Sequence, residues 1–274
     1  MKKLLLIIIS FGLIFTGCTK TPQGNMGNLK IKVTDDPFKI NIVESATVTI
    51  NKIELRKAGT NDDNENKFIV LSEEPVTFDL FKLRNGVTEE MINLSIPEGN
   101  FDMIRLFVSE AGLKIKDQTN NFRLKIPGGS QTGIKIFISP GLRVAGGLTS
   151  ELLLDFDLSR SFVMQGNLNN GNKVHGFIFK PVIRAANISN SGRLEGIVSN
   201  ELNELLTDAE VWIKNDTARI STSFTDTTGK YVMIGIPAGA YSLYAYKPDF
   251  DTTILNNINI VEGNRTVKDV VLKK

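Results

Sequence analysis

Apolar and polar residues alternate with a period of two along most of this chain: Leu29, Ile31, Val33; Ala46, Val48, Ile50; Phe122, Leu124, Ile126; Ile134, Ile136, Ile138; and Leu152, Leu154, Phe156, Leu158. Successive side chains of a strand point to opposite faces, so this pattern builds half-buried strands with one face on a core. Between Ile50 and Ile53 the phase slips by one residue, as a β-bulge or a strand end requires. Amphipathic helical periodicity is nearly absent. The best helical stretch, residues 80–85, is short and is closed by Gly86, a residue suited to a left-handed cap. Turn signals separate the runs at Asp36-Pro37, 61–66, Pro97-Glu98-Gly99, Pro127-Gly128-Gly129, Gly146-Gly147 and 167–172. Many short strands at this spacing predict an all-β fold of sandwich or barrel type.

The alternation lapses at residues 187–192, Asn-Ile-Ser-Asn-Ser-Gly, which reads as a polar hinge between two domains. A length of 274 residues supports two domains, each able to bury a core without disulfides. The expected organisation is two β-sandwich-like domains, residues 28–188 and 193–274, behind a signal peptide. The single Cys excludes structural intrachain disulfides and Cys-rich zinc sites, and the single His excludes a site built on two His ligands. No cofactor is expected. With 32 Lys plus Arg against 30 Asp plus Glu, there is no basic field for a nucleic-acid backbone, so nucleic acid is not an expected partner.

The one Cys is informative through its position. Lys2 and Lys3 precede an apolar run from Leu4 to Phe15, too short for a spanning helix, and the run ends in Phe15-Thr16-Gly17-Cys18. The segment resembles a bacterial lipoprotein signal. That resemblance implies cleavage after residue 17 and lipidation of Cys18 with acyl chains such as palmitate. Thr19 follows Cys18, where Asp would suggest inner-membrane retention, so the outer membrane is the expected address. Loss of Lys2 and Lys3 leaves 30 basic residues against 30 acidic ones, so anchoring has to come from lipid. Residues 18–27, with Pro22, Gly24 and Gly27, read as a flexible tether.

Both halves resemble known families. Leu194-Glu195-Gly196-Ile197-Val198, Asp208-Ala209-Glu210-Val211-Trp212-Ile213, Thr225-Asp226-Thr227-Thr228-Gly229-Lys230-Tyr231 and Ile236-Pro237-Ala238-Gly239-Ala240-Tyr241 together resemble the carboxypeptidase regulatory-like domain. That family implies a transthyretin-like sandwich that serves as an accessory, with no catalytic residues to carry over. Physically, Asp226 is placed to close an Asx-turn and Gly229 to supply a positive φ before Tyr231 opens the returning strand. Val33-Thr34-Asp35-Asp36-Pro37, Asp79-Leu80 with Leu83-Arg84-Asn85-Gly86, Pro97-Glu98-Gly99 with Ile104-Arg105-Leu106, Gly133-Ile134-Lys135, Leu154-Asp155-Phe156-Asp157 and Lys180-Pro181-Val182-Ile183-Arg184-Ala185 resemble a bacterial lipoprotein family, domain of unknown function 4382. It implies an extracytoplasmic β-rich domain without an assigned activity.

Three groups of residues are candidates for chemistry. Asp155 and Asp157 stand two apart on a strand, on the face opposite Leu154 and Phe156. They could begin a Ca²⁺ site or serve as an acid/base pair, or form a solvated outer face or ion pairs with Arg160, Lys180 or Arg184. Tyr241, Tyr244, Tyr246, Trp212 and Phe250 could offer a sugar platform, with Tyr241 on the opposite strand face from Tyr244 and Tyr246. Thr217, Thr227 and Thr252 each follow an Asp and precede Ala or Thr, a pattern resembling an O-glycosylation acceptor of exported proteins. His175 has no nucleophile elbow to partner it and reads as a loop or strand-edge residue. Together these features predict an envelope lipoprotein acting as a binding or structural module. Its partners would be the membrane, through its lipid, and a glycan or an envelope protein. The alternatives are a hydrolase, carbohydrate-active or otherwise, using Asp155 and Asp157, and a purely structural envelope protein.

Overall fold

Four of the five alternating runs form strands in the computed structural model, which describes residues 25–36, 43–59, 67–116, 121–165 and 176–274; of the run Phe122, Leu124, Ile126 only Phe122 lies in a strand, which ends at Arg123. Cys18, the signal segment, Pro37, residues 61–66 and 167–172, and His175 lie outside the described residues. The first domain contains β1 (Met26–Asp36), β2 (Val43–Lys57), β3 (Phe68–Ser72), β4 (Val76–Asp79), β5 (Glu89–Pro97), β6 (Gly99–Ile115), β7 (Asn121–Arg123), β8 (Ile134–Val144) and β9 (Thr149–Asp157). After the one-turn helix α1 (Leu158–Ser161) come β10 (Phe162–Gln165), β11 (Gly176–Phe179) and β12 (Ile183–Asn187). Eight strands form one sheet in the order β3-β2-β6-β8-β12-β9-β1-β5, with β4 paired to β2 and β7 to β6. Most pairs are antiparallel; β1 with β9 and β12 with β8 are parallel. The end strands β3 and β5 approach each other, so the sheet curls toward a barrel around its own core. Of the two all-β architectures the pattern allowed, this half takes the barrel-like one.

Local chemistry explains the departures from regular strands. Leu29, Ile31 and Val33 of β1 and Ala46, Val48 and Ile50 of β2 fill the core, and the β2–β6 register shifts on both sides of Ile50, where the sequence slips phase. Residues 80–82 form a single 3₁₀ turn, short of the predicted helical stretch. The chain then takes positive φ at Asn85 and again at Gly86, so the left-handed cap is two residues wide.

The second domain is a sandwich. Its strands are β13 (Ser191–Asn200), β14 (Glu210–Lys214), β15 (Arg219–Phe224), β16 (Lys230–Pro237), β17 (Gly239–Tyr246), β18 (Thr253–Ile260), β19 (Arg265–Val267) and β20 (Val270–Leu272). One sheet runs β16-β13-β19 with β20 also on β13; the other runs β15-β14-β17-β18. Leu194, Val198, Val211, Ile213, Tyr231, Leu243 and Ile260 are among the side chains that fill the space between them.

The turn before β16 has the predicted chemistry. Asp226 Oδ1 accepts from the Thr228 amide at 2.8 Å, the Thr228 hydroxyl at 2.6 Å and the Lys230 amide at 3.1 Å, and Gly229 has φ +70°. Burial raises the Asp226 carboxyl, but the bonds from Thr228 and Lys230 outweigh it and hold the group below its ordinary value. Because the folded pKa is the lower one, the stability it supplies is present above the unfolded carboxylate range and is lost as pH falls through the folded value. A Cβ on Gly229 would stand 2.9 Å from the Val198 carbonyl oxygen, in addition to the φ penalty. Gly229→Val is expected to destabilise the sandwich by about 1 kcal/mol or more. An unchanged melting temperature would contradict this account of the turn.

Candidate functional site

β9 is buried on both faces, and this decides what its carboxylates do. Leu152, Leu154 and Phe156 point into the barrel, while Leu153 lies on the outside yet is only 1% exposed. Leu153, Ala186 of β12 and Val232 of β16 are all buried but belong to neither domain's core. They are covered where the domains meet. Gly235, at φ +66°, is pressed so close that a Cβ there would stand 2.8 Å from Leu153 Cδ2 and 3.1 Å from Ala186 Cβ. Gly86 does the same on the neighbouring loop, where a Cβ would stand 2.5 Å from Val232 Cγ1.

Asp155 is 5% exposed and lies directly across from Arg184 in the β9–β12 register. Arg184 Nη2 donates to Asp155 Oδ2 at 2.6 Å, Nη1 donates to the Gly235 carbonyl, and Nη2 also lies 3.4 Å from the Ile234 carbonyl. One guanidinium therefore joins a buried carboxylate of the first domain to two backbone carbonyls of the second. A second polar contact flanks it. Asn85 Nδ2 donates to the Lys230 carbonyl at 3.2 Å, and Ser223 Oγ lies 3.2 Å from Asn85 Oδ1.

Asp157 has a different role. Its Oδ1 accepts from the Arg160 amide at 2.9 Å, capping α1, and its Oδ2 accepts from Arg160 Nε at 2.5 Å. The two carboxylates thus share a strand face but are held by different partners, Arg184 and Arg160, both foreseen as ion-pair partners. The expected solvated outer face is replaced by a covered one, because the second domain docks on it. Among the described residues no group of three or more His, Cys, Asp or Glu is placed to hold a metal ion.

The residues 187–192 expected to be a hinge are folded. Asn187 Oδ1 accepts from the Ser189 amide at 3.1 Å, its Nδ2 donates to the Gly141 carbonyl at 3.1 Å, and Ser191 already pairs with Pro237 in β13–β16. Polar composition here satisfies a tight 3₁₀ crossing of residues 188–190.

Tyr241 is in the core and donates its hydroxyl to the Pro237 carbonyl at 2.8 Å. Trp212 and Tyr244 pair across β14 and β17 on the outer face, their rings 5.2 Å apart and within 9° of parallel. The Arg219 guanidinium lies 4.3 Å from the Trp212 ring centre, and Lys214 Nζ lies 5.3 Å from that of Tyr244. Sugar stacking needs a free ring face. Here the tryptophan is already engaged by a ring and a guanidinium. Thr217, Thr227 and Thr252 are all exposed and lie between strands, Thr252 immediately before β18. Thr227 also lines a cleft of about 680 Å³ along the seam, with Phe81, Arg84, Asn85 and Phe224. Sequence reasoning read Gly86 only as a cap, did not single out Gly235, and missed the role of Arg184 in linking the domains. The one visible signal was Arg184 itself, already named as a possible ion-pair partner of the two carboxylates.

Among curated proteins no relative matches the chain. Similar solved structures include a putative carbohydrate binding protein from Bacteroides uniformis ATCC 8492 (14% identity, 29% of this chain and 40% of that one, TM-score 0.26). Another is a type II cohesin–X–dockerin complex from Acetivibrio cellulolyticus (13%, 30% and 56%, 0.24). A third is a variant of the shaft pilin SpaA from Lactobacillus rhamnosus GG (7%, 90% and 98%, 0.26). The chain spans less than two thirds of the first two structures' own length. Residues 193–273 match the carboxypeptidase regulatory-like domain. Residues 26–181 match the model of the domain of unknown function DUF4382, and the chain belongs to that family.

Proposed function

We propose that this chain is a lipid-anchored component of the bacterial cell envelope that acts as a binding or structural module, with a glycan or an envelope protein as its partner. The observation that carries the reading is the Arg184 link. The carboxylate best placed for hydrolytic chemistry, Asp155, is committed to holding the two domains together, and its neighbour Asp157 caps a helix. Two domains joined at a seam by Arg184 and Asn85 would move as one unit, which suits presentation of a surface from a membrane anchor. On this reading Cys18 supplies the anchor, the residues between it and β1 the tether, which is shorter than the expected 18–27 because Met26 and Gly27 already pair with Pro97 and Ile96 in the sheet, and the outer membrane the address. If Thr217, Thr227 and Thr252 carry O-glycans, the second domain gains a hydrated, protease-resistant coat.

Cys18→Ser is expected to abolish lipid labelling and to release the protein from the outer-membrane fraction. A mutant that stays with that fraction would show a different anchor. The intact mass of the native protein reads both modifications. A mass of polypeptide plus lipid, with no hexose-sized increments, would sink the glycosylation proposal. Capture of a defined glycan or protein from the organism's own envelope by the lipidated chain supports the binding reading, and clean recovery of the chain alone opposes it.

A further inference from the structure

The cleft of about 680 Å³ along the seam has a wall from each domain, and each wall carries a charge that the protein itself leaves unanswered. Phe81, Lys82 and Arg84 come from the first domain, and Asp208, Phe224 and Asp226 from the second. Lys82 is paired with Asp79 at 3.5 Å, and Glu44, which also lines the cleft, with Lys114 at 2.6 Å. Arg84 and Asp208 are exposed, and among the described residues neither has an ion-pair partner. Opposite charges thus line one cleft without meeting each other.

Both groups are held in place. The Arg84 guanidinium lies 3.8 Å from the Phe81 ring centre. Stacking uses the π face of the guanidinium and leaves its in-plane N–H donors for an oxyanion. On the other wall the Asp208 amide donates to the Thr225 carbonyl at 3.0 Å and the Ala209 amide to Thr225 Oγ1 at 2.8 Å, which pins the backbone that carries the Asp208 carboxylate. Asp226 spends Oδ1 on the turn before β16, and its Oδ2 accepts no hydrogen bond among the described residues. The half-buried Phe224 ring has neither a stacked ring nor a cation on it among the described residues.

We infer that the seam cleft binds a short zwitterionic peptide, with its carboxylate on Arg84, its ammonium on Asp208 and an apolar side chain against Phe224. A neutral ligand leaves both charges unanswered, and a ligand with a single charge answers one wall only. A zwitterion answers both. A cleft within the range of about 300 to 1,000 Å³ usual for small-ligand sites holds a chain of about two or three residues, whose end charges stand far enough apart to reach opposite walls. Carboxylate to guanidinium and ammonium to carboxylate are charge-assisted hydrogen bonds, the stronger kind. Such a ligand also bridges the two domains at the seam that Arg184 and Asn85 already tie. The inference rests on the binding-module reading and names the ligand class for it.

Isothermal titration calorimetry at physiological ionic strength tests it, with the full chain made in a host that leaves Thr227, at the same cleft, unglycosylated. The probes are Ala-Phe-Ala and Ala-Leu-Ala, each with free ends, N-acetylated, C-amidated or blocked at both ends. A free-ended peptide is expected to bind about tenfold or more tighter than either singly blocked form, since each block removes one charge-assisted contact. Arg84→Gln should abolish the penalty for amidation and keep that for acetylation, and Asp208→Asn should do the reverse. Both side chains are exposed, so neither change strands a buried charge, and Asn tolerates the φ of +55° at Asp208. No binding by either free-ended tripeptide, equal binding by free and blocked forms, or variants that fail to separate the two penalties overturns the inference. Binding of the neutral sugar cellotriose in place of the peptides overturns it while leaving the binding-module reading standing. Failure of the envelope capture described above is what bears on that broader reading.

Discussion

Arg184→Ala is expected to cost about 3 to 5 kcal/mol, because it leaves the Asp155 carboxylate buried without the guanidinium that pairs it. The pair is well shielded, with the Asp155 side chain 6% exposed and that of Arg184 28%. The loss should fall on two levels. The β9–β12 pair loses its cross-strand ion pair, and the seam loses the bonds to the Gly235 and Ile234 carbonyls. Thermal unfolding should therefore change shape as well as midpoint, from one coupled transition to two, since among the described residues the side-chain hydrogen bonds that then still tie the domains are those of the Asn85 cluster. Asp155→Leu/Arg184→Met separates these effects. Replacing both charges with apolar groups removes the stranded carboxylate, so most of the midpoint loss should be recovered while the two transitions stay apart. A single variant that melts like the parent in one transition would refute the assigned role of Arg184.

The same pair shows how far the sequence can be read. Alternation located β1, β2, β8 and β9 and even the bulge near Ile50, because the side-chain period of a strand is a local property. The Asp226–Gly229 turn was legible for a similar reason: an Asx-turn and a positive φ need only a few adjacent residues. Whether a strand's second face meets water or another domain is not local. Asp155 and Leu153 occupy the phase that reads as solvent-facing, and only the docking of β16 turns that phase into an interface. The run at residues 187–192 misled for the converse reason, since Asn and Ser satisfy backbone groups in a tight crossing as readily as they solvate a hinge. The ion pair in which Arg105 Nε donates to the buried Glu54 carboxylate at 2.6 Å lies in the same blind spot. Each residue is an ordinary polar position on its own strand, and only the β2–β6 register makes them partners.

Gly196→Ala is expected to be the most damaging single methyl addition to the sandwich. β13 pairs first with β19, through residues 193–195, and then with β20, through residues 198–200, so the chain between those two short strands must swing across Gly196. That crossing is pinned by the Lys268 amide on the Glu195 carbonyl at 2.8 Å, the Ile197 amide on Asp269 Oδ1 at 2.8 Å, and the Tyr231 hydroxyl on the Lys268 carbonyl at 2.6 Å. A Cβ on Gly196 would fall onto the Lys268 carbonyl, 2.5 Å from its carbon and 3.0 Å from the Tyr231 ring. Backbone cannot rotate aside as a flexible side chain would, so the crossing must lift and take the Tyr231 bond with it. Overpacking costs about 1 to 3 kcal/mol and a lost buried hydrogen bond about 1 to 3 more, a large share of what so small a domain can hold. Tyr231→Phe gives up only the bond and should cost less. The phenol offers an independent readout. Burial, then the charges of Asp269 and Glu195, push its pKa above the ordinary tyrosine value, so its contribution is complete below the unfolded pKa and is lost as pH climbs beyond it. Melting curves taken up to strongly alkaline pH should show this decline in the parent and a shallower one in Tyr231→Phe. Parental stability in Gly196→Ala, or an alkaline decline unchanged by Tyr231→Phe, would show that the crossing does not depend on these contacts.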